Sequence, residues 1–250
     1  MFGVTLLPGA NMNRKLFSLL ISILLFHFSL GQSKHDTTFV FNAVAHTREI
    51  YTQGIGAQTH LHNGVEHRHY RDEVELEAYL EPEWVIGSIF YDNELFENVP
   101  LMYDMIGQRV VTYFAGQVDL DLITEKVDWF MIGRRKFVYL GRDKNDASID
   151  PAFYELLDNG TVKLYARRRK RIDQKIGEKV ISYDVIASNH YFLLKEGEYI
   201  AVNTKRALVG ALGDKKKELK QFKKENKIHF DKEHREIAIR KFVAHYNKLR

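Results

Sequence analysis

Apolar positions fall into three successive patterns along this chain. Leu16 to Leu30 is an almost unbroken hydrophobic run, interrupted only by Ser18, Ser22, His27 and Ser29. From Trp84 to about Val202, apolar residues come in short or alternating runs broken by Gly, Asn and Asp, the mark of strands at roughly ten-residue spacing. Past Asn203 the spacing lengthens to that of helices.

The strand-like runs begin with Trp84–Tyr91, and Asp92-Asn93 then reads as a turn. Glu94–Tyr103 follows, and its Pro100 predicts an edge position or a bulge, because proline cannot donate to a ladder. Arg109–Phe114, Val118–Ile123, Val127–Ile132 and Lys136–Leu140 continue the series. After a loop at 142–151 come Phe153–Leu157, a turn at Asp158-Asn159-Gly160, and Thr161–Tyr165. His190–Leu194 and Tyr199–Val202, joined by Lys195-Glu196-Gly197-Glu198, make the last hairpin. Lys205–Leu212 then reads as a short helix. Asp214 is placed to cap a second, from Lys215 to about Asn226. Asp231 is placed to cap a third, with Ile239, Phe242, Val243, Tyr246 and Leu249 as its apolar stripe. The expected fold is α+β and mainly antiparallel β, as a meander, sandwich or partly closed barrel, with two or three C-terminal helices packed on it. The chain divides into an upstream extension plus leader (1–31), a polar His-rich segment (32–80), a β domain (81–203) and basic helices (204–250).

The first apolar run is a leader rather than part of that fold. Asn13-Arg14-Lys15 precedes it, and Ser29 and Gly31 put small residues before a cleavage between Gly31 and Gln32, the layout of a secretory signal peptide. An uncleaved anchor would need nearer ~20 apolar residues. Met12 stands directly before the basic segment and is the expected start of translation. The expectation is an exported protein of the periplasm, the outer-membrane periphery or the exterior, with no transmembrane helix in the mature chain. Cysteine is absent, which excludes disulfides, thiolate metal sites, thiol nucleophiles and cysteine-acylated lipoproteins.

Three tracts carry a likeness. They are Tyr91–Asp104 (YDNELFENVPLMYD), Phe153–Leu157 with its basic return strand, and Asp214–Leu219 ahead of Lys224–Lys227. In these the chain resembles a family of uncharacterised exported proteins from Bacteroidota, over most of its length from about Asn63 onward. The resemblance implies export from a Gram-negative cell and brings no activity or site residue with it.

Two constellations carry candidate chemistry. In Thr59–His69, a hairpin turn at Asn63-Gly64 would put His60, His62, His67 and His69 on one strand face, opposed side chains being about 5 Å apart. Neutral imidazoles so placed suit Zn²⁺ or Cu²⁺, although the same histidines exposed in a polar segment bind nothing. No other cofactor is expected. The second is the basic run Arg167, Arg168, Arg169, Lys170 and Arg171, whose guanidinium groups recognise phosphate or carboxylate in bidentate fashion. Behind a signal peptide, the partner expected is an anionic envelope component or another envelope protein rather than nucleic acid. The net charge is only +4, but 204–250 holds 15 Lys and Arg against 6 Asp and Glu, which adds a basic surface at the C-terminal end.

Catalytic signatures are absent. Asp119 and Asp121 share a strand face, as solvent-facing acids on an amphipathic strand commonly do. There is no Gly-x-Ser-x-Gly elbow, phosphate-cradling Gly-rich loop or His-Glu-x-x-His motif. A non-enzymatic binding or envelope-associated module is the reading that follows, with a periplasmic metal-binding protein using the His-rich hairpin, or an enzyme with no recognisable motif, as the alternatives.

Overall fold

In the computed structural model the described residues are Val44, Leu61, 63–114, 118–141, 148–177 and 181–249. The leader, the alternative start at Met12, and His60 and His62 lie outside them. All described residues except Val44 belong to one unit, Gln58–Arg250.

Eleven strands make up its sheet: β1 (Val65–Glu66), β2 (Val85–Tyr91), β3 (Glu94–Asp104), β4 (Arg109–Phe114), β5 (Val118–Asp121), β6 (Val127–Ile132), β7 (Arg135–Leu140), β8 (Ala152–Asn159), β9 (Lys163–Ile176), β10 (Ile181–Lys195) and β11 (Glu198–Ala201). The helices are α1 (Asp72–Ala78), α2 (Lys205–Ala211), α3 (Lys216–Glu225) and α4 (Arg235–Lys248). Strand order is β1-β5-β4-β3-β2-β6-β7-β8-β9-β10-β11, and every neighbouring pair is antiparallel. The chain thus meanders away from β2 on one side, returns beside it as β6, and meanders away on the other. The expected α+β class holds.

Local chemistry explains the turns. Asp92 and Asn93 have φ of +51° and +65°, the two positive values that a two-residue hairpin needs to match strand twist. Glu196 and Gly197 do the same between β10 and β11, at +56° and +88°. Pro100 follows a bulge. Asn98 (φ +58°) is skipped where the β2–β3 register shifts opposite Gly87 and Ser88, and the ladder to β4 starts only at Met102.

The sheet curls strongly without closing. Tyr103 on β3 lies 5.1 Å from Phe137 on β7 and 5.9 Å from Phe153 on β8 by ring centroids, although those strands stand three and four places away. The residues inside the curl, among them Ile89, Leu101, Tyr103, Phe130, Phe137 and Phe153, form the first core. Across the seam the Lys170 amide donates to the Met105 carbonyl at 2.9 Å, and the Gln108 side-chain amide donates to the carbonyls of Met105 and Arg168. β9 is thereby held against the end of β3.

The second core lies on β8–β11. Leu164, Ala166, Tyr191 and Leu193 pack against Leu208, Leu219, Ile239, Phe242, Val243 and Tyr246 of the C-terminal helices. The expected stripe of α4 is buried except at Leu249, which is exposed. Thr204 caps α2 by accepting from the Ala207 amide, and Asp231 accepts from the amides of Glu233 and His234 in the turn that leads into α4. Asp214 does not cap α3 as expected. Its carboxylate, still exposed, accepts from Tyr246 and Lys195 at 2.8 Å each, and so ties α4 to β10. Among the described residues no helix is long and apolar enough to cross a membrane.

Candidate anion-binding face

Strand alternation decides the fate of the basic run. All five residues lie in β9, where successive side chains point to opposite faces of the sheet. Arg168 and Lys170 go to the face that meets the helices and α1. Arg167, Arg169 and Arg171 go to the other.

Arg168 is buried and fully committed. Its Nε donates to Glu155 at 2.7 Å and its two terminal nitrogens grip both oxygens of Glu236 on α4. Arg135 on β7 makes a second fork onto Glu155, at 2.8 and 2.9 Å, and Tyr191 donates to Glu236 at 3.0 Å. Burial pushes the Glu155 carboxyl up, but Arg135 and Arg168 outweigh it and hold it below the usual carboxylate range. Lys170 donates to the carbonyls of Glu77 and Tyr79 at 2.7 Å each, fixing the end of α1 to β9. Both cations build the fold; Arg168 is buried and closed to a partner, whereas half-buried Lys170 also borders the groove that the other three line.

The other three form a row. Same-face residues on a strand repeat at roughly 7 Å, and the register places His190 opposite Arg167 and Ser188 opposite Arg169. Asp150, Arg167, Arg169, Arg171, Ser188 and His190 border a groove of about 390 Å³. Arg167 donates to Asp150 at 2.7 Å and lies over the Tyr154 ring, while its Nε is buried with no partner among the described residues. Arg171 pairs with Asp173 at the exposed surface, where such a contact contributes little. Arg169 is exposed, and among the described residues no carboxylate comes within 4.0 Å of it.

The histidine region has a different architecture. Gly64 abuts the Asp121 carbonyl, β1 pairs with β5, and Leu61 is fully buried in the first core. His67 and His69 do share a side, with ring centroids 5.2 Å apart. What gathers them is a hydrogen-bonded chain. His67 Nδ1 meets Asp121 Oδ1 at 2.6 Å and its Nε2 meets the Tyr79 hydroxyl at 2.7 Å. Tyr79 contacts Glu75 Oε1 at 2.8 Å, which also accepts from His69 Nδ1 at 2.9 Å. Arg109 takes the second oxygen of Asp121. Two contacts join Nε2, the phenol and Oε1, and the phenol supplies one proton; the second sits on Nε2 or on Glu75.

Asp121 is therefore buried and paired, not solvent-facing as its strand pattern suggests. The donor atoms of His67, His69 and Glu75 lie within 4.8 Å of one another, and Asp121 stands behind His67 where zinc sites place an orienting carboxylate. A metal there has to take Nε2 from the Tyr79 hydroxyl.

Comparison with protein families, curated proteins and solved structures finds no match for this chain. The site rests on its own geometry.

Sequence reasoning found the basic run but not its division, although a strand through Tyr165 already implied a two-residue period. Glu155, within an apolar run, was the available signal of a buried counter-charge. Nothing local announced Glu236, which is 68 residues from Arg168.

Proposed function

We propose that this protein is an exported, non-enzymatic binding module that engages an anionic component of the cell envelope through Arg167, Arg169 and Arg171. The observation that carries this reading is the row of three guanidinium groups along one face of β9, one of them free of any carboxylate among the described residues. Guanidinium forks suit phosphate or carboxylate groups borne by such a component, and His190 and Ser188 add donors from β10. The leader and the resemblance to exported Bacteroidota proteins support the compartment.

Pull-down of the purified chain on immobilised lipopolysaccharide tests it. Capture is expected at low salt and is expected to fall sharply near 1 M salt, where the screening length is about 3 Å. Arg169→Ala with Arg171→Ala is the variant to use, because Arg168 holds the fold together. Unchanged capture by that variant would refute the reading.

A second reading, a metal site, is favoured by the convergence of His67, His69 and Glu75. Equilibrium dialysis against Zn²⁺ and Cu²⁺ decides it: binding no tighter than millimolar ends it, and micromolar binding abolished by His69→Ala supports it.

A further inference from the structure

One stretch of the sheet's margin is left open. β11 pairs only with residues 192–195 of β10, so residues 181–190 of that strand have β9 on one side and no strand on the other. Tyr191 fixes which backbone groups face outward. Its amide donates to the Asn203 side chain and its carbonyl accepts from the Val202 amide, both on the side away from β9. Successive residues of a strand turn their N–H and C=O to alternate sides, so Ile181, Tyr183, Val185, Ala187 and Asn189 also direct theirs away from β9. Among the described residues no backbone group pairs with them on that side.

An open edge invites another strand, and proteins blunt such edges with brevity, lysine, proline or bulges. The outermost strands follow that rule, β1 with two residues and β11 with four. Residues 181–190 (ISYDVIASNH) do not. They hold no lysine, proline or glycine, Asp184 is the only acid among them, and their register with β9 is unbroken. The β9 margin of the same hairpin is guarded: Arg171, Asp173 and Lys175 lie along it, and the Lys170 amide is bonded to Met105. Apolar surface accompanies the open edge. Ile176 and Ile181, paired near the end of the hairpin, are 79% and 51% exposed, and Ile186 is exposed on the arginine face. A two-stranded ribbon is marginal in water, and further strands with an apolar face stabilise it.

The occupant this margin fits is its own copy. A two-fold axis through Val185 pairs Ile181 with Asn189 of the second copy, Tyr183 with Ala187, and Val185 with itself. That register uses every outward-facing residue and joins the copies by about ten hydrogen bonds, two for each pair, as many as an ordinary interface carries. On the arginine face it sets Asp184 opposite Ile186, whereas an axis through Asp184 would oppose two carboxylates, which destabilises a pair. We infer that this protein forms a two-fold dimer by antiparallel pairing of its β10 edges, which joins the β9–β10 hairpins of two copies into one four-stranded ribbon.

Sedimentation of the full chain over a concentration series tests this. It is run with no anionic ligand present, so its outcome is independent of the anion-binding reading. A reversible monomer–dimer equilibrium in the micromolar range is expected. Ile186→Asp sets a carboxylate against Asp184 on both sides of the axis and is expected to weaken the dimer about tenfold. Adding Asp184→Lys to it restores opposite charges at both pairs and is expected to return the affinity to near that of the wild type. A melting curve on each variant checks that the fold is kept. A chain monomeric throughout that range would overturn the inference and leave the edge to an extended segment of another protein. Wild-type dimerisation in folded Ile186→Asp, or a double variant that dimerises no better than Ile186→Asp alone, would overturn it as well.

Discussion

Tyr103 carries a phenolic hydroxyl that is fully buried and has no hydrogen-bond partner among the described residues. An unmet buried hydroxyl costs stability, and removing it leaves the ring's packing intact. Tyr103→Phe is therefore expected to stabilise the protein by roughly 1 kcal/mol in a denaturant melt. Glu155→Gln runs the other way. It strips a buried carboxylate from between Arg135 and Arg168 and is expected to cost about 3 kcal/mol, whereas Arg169→Ala should stay within about 0.5 kcal/mol. The α1 contacts respond to pH in both directions. Glu75 raises the His69 pKa by hydrogen bonding, so that contribution is complete below about pH 6.5 and fades as pH rises through the folded-state value. Burial pushes Glu75 up, but hydrogen bonds from His69, Tyr79 and the Tyr70 amide hold it below the ordinary value, so its contribution fades as pH falls through that lowered value. An NMR titration is expected to place His69 above 6.5, and Glu75→Gln to lower it. A His69 midpoint unmoved by that substitution would break the account of this chain.

At the scale of elements, close backbone approach matters as much as side-chain packing. A methyl group at Gly87 would collide with the Met131 carbonyl of β6. Gly87→Ala is expected to cost roughly 1–3 kcal/mol, the range for forcing extra volume into a packed site, and Ile239→Ala about 2–5 kcal/mol by hollowing the helix–sheet core. Chemical denaturation measures both. Most elements were legible in the sequence because their signals are local. Asp92-Asn93 and Glu196-Gly197 announce hairpins, alternation marks β4 and β6, and the spacing of Ile239, Phe242, Val243 and Tyr246 marks α4. Three features were not. α1 has seven residues and buries only Val74 and Ala78, too short a stripe to show a helical period. The long outer part of β9 carries charges on both faces, which hides its period of two, and with it the length of β10 that pairs to it. The partnership of β1 with β5, and with it the pairing of His67 and Asp121, joins residues 54 apart and has no local trace.

Across the whole molecule, strand geometry sorts the cations by role. Arg168 and Lys170 bind β9 to helices, and the alternate members Arg167, Arg169 and Arg171 form the row open to an outside partner. The proposed export would place that partner beyond the inner membrane. N-terminal sequencing of the protein from fractionated cells is expected to begin at Gln32, and recovery of the intact chain among cytoplasmic proteins would withdraw the envelope assignment. The most direct check on the arginine row is the equilibrium affinity of folded variants for lipopolysaccharide, measured across a salt series. Arg169→Ala with Arg171→Ala is expected to bind at least tenfold more weakly than the wild type and to depend less steeply on salt, while melting at the same temperature. Wild-type affinity and salt dependence in that variant would contradict the account.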